Sequence, residues 1–137
     1  MNTTPLSPND GERHPFSLKE RIRSFGYAFS GMKWLFTREH NARIHLVLAV
    51  TAISLGCWVG LSSMEWVAVV LAIGLVLAAE AFNTAIEYLC NLVCPTYDEC
   101  VKKIKDIAAA AVLLCALAAA VIGAIVFVPG LIEKVGL

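Results

Sequence analysis

At 137 residues the chain is long enough for one domain and too short for two. Its residues are 58 % apolar and its mean hydropathy is +0.72, too oily for a soluble globule. A formal net charge of zero removes the polycation expected of a nucleic-acid binder.

Residues 1–15 are rich in Pro, Ser, Asn and Gly and lack the apolar content to order themselves, so a flexible tail is expected there. Residues 16–137 are expected to form a single membrane domain. No signal peptide is expected, because the first apolar run begins near Leu46 behind a long polar segment and no cleavage-type motif follows it. Ser17, with Glu20 three residues on, reads as a capping box. Leu18, Ile22, Phe25, Phe29, Met32 and Phe36 then recur at steps of four and three, which predicts one apolar stripe on a helix over about 17–37. Lys19, Arg21, Arg23 and Lys33 lie mostly off that stripe. A basic amphipathic helix of this kind fits a membrane interface.

Three membrane spans are predicted after it, at about 44–64, 66–93 and 105–130. Leu46 to Met64 carries no charge. Trp58 and Trp66 flank the short Leu61–Glu65 connection, as interfacial aromatics do. The second span is interrupted by Glu80, Asn83 and Glu87. A polar connection, Cys94–Lys105, leads to a third uncharged stretch, Ile107 to Ile132. Ten of the eleven Lys and Arg lie in the amino-terminal segment and the 94–105 loop, so the positive-inside rule places both in the cytoplasm. The expected fold class is an all-α membrane protein, with an amino-terminal amphipathic surface helix and three transmembrane helices. The five cysteines (Cys57, Cys90, Cys94, Cys100 and Cys115) read as reduced thiols, because Cys90, Cys94 and Cys100 do not follow a zinc spacing.

A carboxylate in the centre of a membrane helix costs about 2.5–3.5 kcal/mol on insertion scales, and such residues usually mark a functional site. This chain places Glu80 and Glu87 in one span, with Asn83 and Thr84 between them. At about 100° per residue, Asn83 lies about 60° to one side of Glu80, Thr84 about 40° to the other, and Glu87 about 20° away. All four share a face, with the two acids roughly 10 Å apart along the axis. Glu87, nearer water, suits Mg2+, which one or two carboxylates hold together with substrate phosphates. Glu80, deeper and drier, suits a general base acting on a hydroxyl presented at the membrane surface. A purely structural pairing of these acids with Lys or Arg is the bland alternative. Asn83 alone would read as an interhelical hydrogen-bonding residue.

Lys105 and Asp106 open the third span at the same membrane level. The simple reading of Asp106 is an acid near a helix amino terminus, where the dipole favours it. Ala108 to Ala111 beside it would let helices approach closely. Glu39, Asn41, Arg43 and His45 lie where the surface helix turns into the first span. Together these acids and bases suit a Mg-bound polyphosphate. The chain has no P-loop and no kinase H-R-D or D-F-G motif, so the residues alone do not specify ATP.

The run Glu80-Ala-Phe-Asn83-Thr84-Ala-Ile-Glu87, then Tyr97, then Lys105-Asp106-Ile-Ala-Ala-Ala-Ala-Val, resembles the prokaryotic diacylglycerol kinases, small integral-membrane lipid kinases. The likeness runs from about Arg21 to Leu131. It implies phosphoryl transfer from Mg-ATP to a lipid hydroxyl by a homotrimer with active sites between subunits, in the bacterial inner membrane. By position it implies Glu80 as catalytic base and a substrate contact beside Asn83. It also implies Glu39 and Glu87 as metal carboxylates, and Tyr27, Glu39, Glu87, Tyr97, Lys105 and Asp106 around the nucleotide. Asn91 departs from the family, which usually has Asp there.

Within that family, Glu39-x-Asn41-x-x-x-His45, Glu65-Trp66 and the ending Val121 to Pro129 look like the Gram-positive branch, which phosphorylates undecaprenol. Glu20 stands where the enterobacterial, diacylglycerol-preferring branch carries a basic residue. Undecaprenol is therefore the expected acceptor and diacylglycerol the alternative. A small proton-coupled transporter, with Glu80 cycling its proton, is the reading from another class.

Overall fold

The computed structural model describes residues 17–136. The tail expected at 1–15 lies outside the described residues. Four helices follow in order: α1 (Leu18–Arg38), α2 (His40–Val59), α3 (Ser63–Val93) and α4 (Glu99–Val135). The last three are long and apolar enough to cross a membrane. With the amphipathic α1 before them, this is an all-α membrane protein.

The helix starts follow local chemistry. Ser17 caps α1 by accepting the Glu20 N–H at 3.4 Å. The return bond from the Glu20 carboxylate, which would complete the expected box, is not made among the described residues. The full capping box occurs instead at α3. Ser62 accepts from the Glu65 N–H, and the Glu65 carboxylate accepts the Ser62 N–H at 2.7 Å. The turn between the first two spans therefore falls at Gly60–Ser62, earlier than the Leu61–Glu65 expected, and Gly60 takes the left-handed conformation there (φ 87°).

A second boundary also moves. Asp98 caps α4 by accepting from the N–H groups of Cys100 and Val101, so α4 begins at Glu99 and not near Lys105. Asp106 thus lies in the third turn, beyond the reach of the helix dipole. Lys102 pairs with it instead, at 2.9 Å. At the other end α4 runs past Pro129 to Val135.

α3 is the central element and packs most extensively on α4. Its buried positions are Val69, Ala72, Val76, Glu80, Asn83, Thr84 and Cys90, mostly at steps of three and four, so one seam runs nearly its full length. α2 faces inward through Ala42, Ala49 and Gly56, small residues seven apart that admit close helix approach. The apolar core is concentrated at the end of the bundle far from Glu87. Val69, Val126 and Phe127 meet there, with Leu55, Leu61 and Ile73 against them. Of the alanines from 108 to 111, only Ala108 is buried within the protomer. The stripe of α1 stays open: Leu18, Ile22, Phe25 and Phe29 are each about two-thirds exposed. Leu35, near the end of α1, is buried.

A buried carboxylate face as candidate active site

At the end of the bundle opposite the apolar core, α3 turns its polar face inward. Glu80 is only 2 % exposed and Asn83 and Thr84 6 % each. Glu87 is half-buried. Asn83 donates through Nδ2 to Glu87 Oε1 at 3.1 Å, one turn along the helix. Its own Oδ1 is buried without a hydrogen-bond partner among the described residues. Nor does any described side chain hydrogen-bond the Glu80 carboxylate. Buried polar groups are satisfied in the great majority of cases, so an amide oxygen without a partner among the described residues, on the same helix face as Glu80, stands out. Tyr88, the neighbour of Glu87 on α3, holds Glu39 against the same stretch of that helix. The structure therefore brings Glu39, Glu80, Asn83 and Glu87 into one polar region, as the helical spacing and the α1–α2 junction predict.

Glu39 is the single residue between α1 and α2, and it is fixed from α3. Tyr88 donates its hydroxyl to Glu39 Oε1 at 3.2 Å. The ring of Tyr88 meets Trp34 edge-on, with centroids 4.8 Å apart. Neither aromatic was flagged by sequence reasoning. Tyr88 reads as an ordinary interfacial tyrosine beside Glu87, and no local pattern links it to a residue 49 positions earlier.

The bases are disposed differently from each other. Lys105 donates to Asn91 Oδ1 at 2.6 Å, bridging α4 and α3. Asn91 is an uncharged acceptor, so Lys105 is oriented without being neutralised. Arg43 turns back on the end of α1 and donates to the carbonyls of Glu39 (3.4 Å) and Arg38 (3.5 Å), a helix-capping role.

Tyr27 and Tyr97 are exposed, and no hydrogen bond links either to the site carboxylates among the described residues. Tyr27 carries the Arg23 guanidinium 5.6 Å from its ring centroid. Tyr97 donates to Glu99 Oε1 at 2.5 Å. That bond, with burial and the nearby Asp106 charge, holds the Tyr97 phenol above its usual pKa. Tyr97 is thus a neutral donor at physiological pH.

On the side of Glu80 away from Glu87, beginning one helical turn off at Val76 and Leu77, an apolar cleft of about 300 Å³ lies between α2, α3 and α4, with His45 and Phe127 also on its wall. All five cysteines are free, and Cys94 donates to the Thr96 carbonyl.

An unbonded acid buried in an apolar helix, with further acids and a lysine gathered at one end, fits a site that meets a membrane molecule and an aqueous one together. The profile of the prokaryotic diacylglycerol kinase family matches residues 26–127. The chain belongs to this family. It is an ATP-dependent lipid kinase, and that decides against a proton-coupled transporter. It is 33 % identical to the undecaprenol kinase of Bacillus subtilis over 122 residues, covering 89 % of this chain and 99 % of that protein. It is 36 % identical to a diacylglycerol kinase of Synechocystis over 111 residues, covering 80 % of this chain and 63 % of that protein. The diacylglycerol kinase of Escherichia coli is 27 % identical over 100 residues, covering 73 % and 82 % of the two chains.

Proposed function

We propose that the chain transfers the γ-phosphoryl group of Mg-ATP to the hydroxyl of undecaprenol, with Glu80 as general base. The observation that carries the assignment of Glu80 is its burial at 2 % exposure with no hydrogen bond from a described side chain. A carboxylate with no partner among the described residues, one helical turn beyond Val76 on the wall of an apolar cleft, is poised to accept a proton from a lipid hydroxyl. The cleft lets the hydrocarbon part of such a lipid approach from the bilayer side. Asn83, tied to Glu87 through Nδ2, keeps its orphaned Oδ1 for the incoming hydroxyl or nucleotide.

The residues present suit Mg2+. Among the described residues Glu39 and Glu87 each engage Oε1 in a hydrogen bond and make none through Oε2, which leaves two hard oxygen donors. Among the described residues no group of three or more candidate ligands surrounds a metal position. Mg2+ is commonly held by one or two carboxylates and completed by substrate phosphates. When bound, the metal would neutralise charge developing on the phosphates. Lys105, steered by the neutral Asn91 amide, keeps its full charge for the same phosphates. Tyr97, tied to Glu99 through its hydroxyl, offers its exposed ring face at the water-facing side.

Undecaprenol is favoured by the near full-length match to the Bacillus subtilis undecaprenol kinase, together with the Glu39-x-Asn41-x-x-x-His45 and Glu65-Trp66 patterns. The cyanobacterial relative, named a diacylglycerol kinase, supports diacylglycerol as the second reading. A micellar assay with labelled ATP and both lipids decides between them. A kcat/KM for undecaprenol well above that for diacylglycerol is expected, and the reverse order overturns the assignment.

We also read the protein as a homotrimer in the inner membrane, with the amino-terminal side and the 94–105 loop cytoplasmic. The open stripe of α1 and the partnerless Asn83 oxygen support sites completed by a neighbouring subunit and the bilayer.

A further inference from the structure

Glu39 is both the last-turn cap of α1 and the residue before α2, with extended backbone (φ −93°, ψ 125°). Its carboxylate caps neither helix by a side-chain hydrogen bond. Nothing local therefore sets where it points, and a glutamate at a break between helices samples several rotamers. The Tyr88 hydroxyl supplies the missing constraint from α3, at 3.2 Å from Oε1. On a helix the residue after Glu87 projects about 100° round. Glu87 can thus stay with Asn83 while Tyr88 reaches toward α1. Trp34 meets the Tyr88 ring edge-on at 4.8 Å and 77°, which steadies the ring that carries the hydroxyl. Trp34 and Glu39 are both at the end of α1, so the three side chains close a small loop between the surface helix and α3.

We propose that Tyr88 is a positioning residue for metal-nucleotide binding, holding the Glu39 carboxylate so that its second oxygen stays directed to the bound cation. The inference rests on the reading of Glu39 as a metal carboxylate. A simple docking role for the aromatic pair would need the Tyr88 ring but not its hydroxyl, so the two roles separate on one atom.

The test uses full-length protein in detergent micelles. Binding of a non-hydrolysable ATP analogue is followed by calorimetry as Mg2+ is titrated, alongside steady-state kinetics. Tyr88→Phe keeps the ring and removes the hydroxyl. Losing one solvent-exposed hydrogen bond should raise the Mg2+ concentration for half-maximal analogue binding roughly three- to tenfold, the range of an ordinary net hydrogen bond, with kcat at saturating Mg2+ changed by less than about twofold. Glu39→Gln should shift the Mg2+ dependence at least as far, and Tyr88→Phe should add nothing in the Glu39→Gln background. If Tyr88→Phe binds like the parent while Glu39→Gln is shifted, the inference fails and the reading of Glu39 stands. An unshifted Glu39→Gln overturns the metal role of Glu39 and the inference with it. An equal added shift in the double variant places the hydroxyl's effect elsewhere and also overturns the inference.

Discussion

The two ends of this helical bundle are built on opposite principles. At the far end, glycine meets side chain at close range. A Cβ on Gly56 would come within 2.9 Å of the Trp66 ring, and one on Gly130 would collide with Val59. Val69, Val126 and Phe127 fill the space between, and the Ser62–Glu65 capping box satisfies the start of α3. At the carboxylate end, packing gives way to polar side chains with spare hydrogen-bonding capacity among the described residues: Glu80 without a hydrogen bond, Asn83 Oδ1 orphaned, Lys105 oriented but not neutralised. One end supplies the stability that the other forgoes, a division expected where a site must keep groups unsatisfied until its ligand arrives.

That contrast is breakable, and the largest effect should come from the carboxylate end. Glu80→Gln removes the proposed base without changing side-chain volume. We expect turnover to fall by roughly 10²–10⁴, while thermal stability in micelles and oligomeric state stay unchanged. Activity near the parent level would remove Glu80 from the chemistry and make it a structural acid. A substitution at the far end should do the reverse. Gly56→Leu drives a branched side chain into Trp66 and should cost about 1–3 kcal/mol by overpacking, read as a lower melting temperature or a lower denaturant midpoint. The kcat of the surviving folded fraction should match the parent. A large kcat loss there would show that the two ends are mechanically coupled.

Smaller effects sharpen the same division. Ser62→Ala opens the capping box and should cost about 1 kcal/mol, again visible in melting and not in the KM for ATP. Asn91→Asp gives Lys105 a charged partner. Because such exposed pairs are worth about 0.2–1 kcal/mol, the KM for ATP should rise by up to about fivefold, with the rise suppressed at high salt. No change in KM would mean that Lys105 does not meet the phosphates.

Sequence and structure agree on α3 for a simple reason. Glu80, Asn83, Thr84 and Glu87 lie within eight residues of a continuous helix, so 3.6-residue periodicity alone puts them on one face, and the structure buries that face. The charge distribution and apolar runs likewise predict four helices, three of them able to span. The boundaries were less legible. Ser62 and Asp98 start their helices by side-chain bonds to backbone N–H groups, and each competes with the hydropathy signal that placed the turns a few residues later. The short α3–α4 connection follows from Asp98, and it moves Asp106 from a helix start to a mid-helix pair with Lys102.

By itself the sequence determined the class of the protein, the helix that carries the acids, the face they share and the family they belong to. These properties depend on short-range spacing and on composition. Only the tertiary structure decided the partners drawn from distant parts of the chain. Tyr88 holds Glu39 across 49 residues. Asn91 holds Lys105 across 14. Arg43 donates to the carbonyls of Arg38 and Glu39 at the end of α1. Each pairing depends on how helices cross, which no local periodicity encodes.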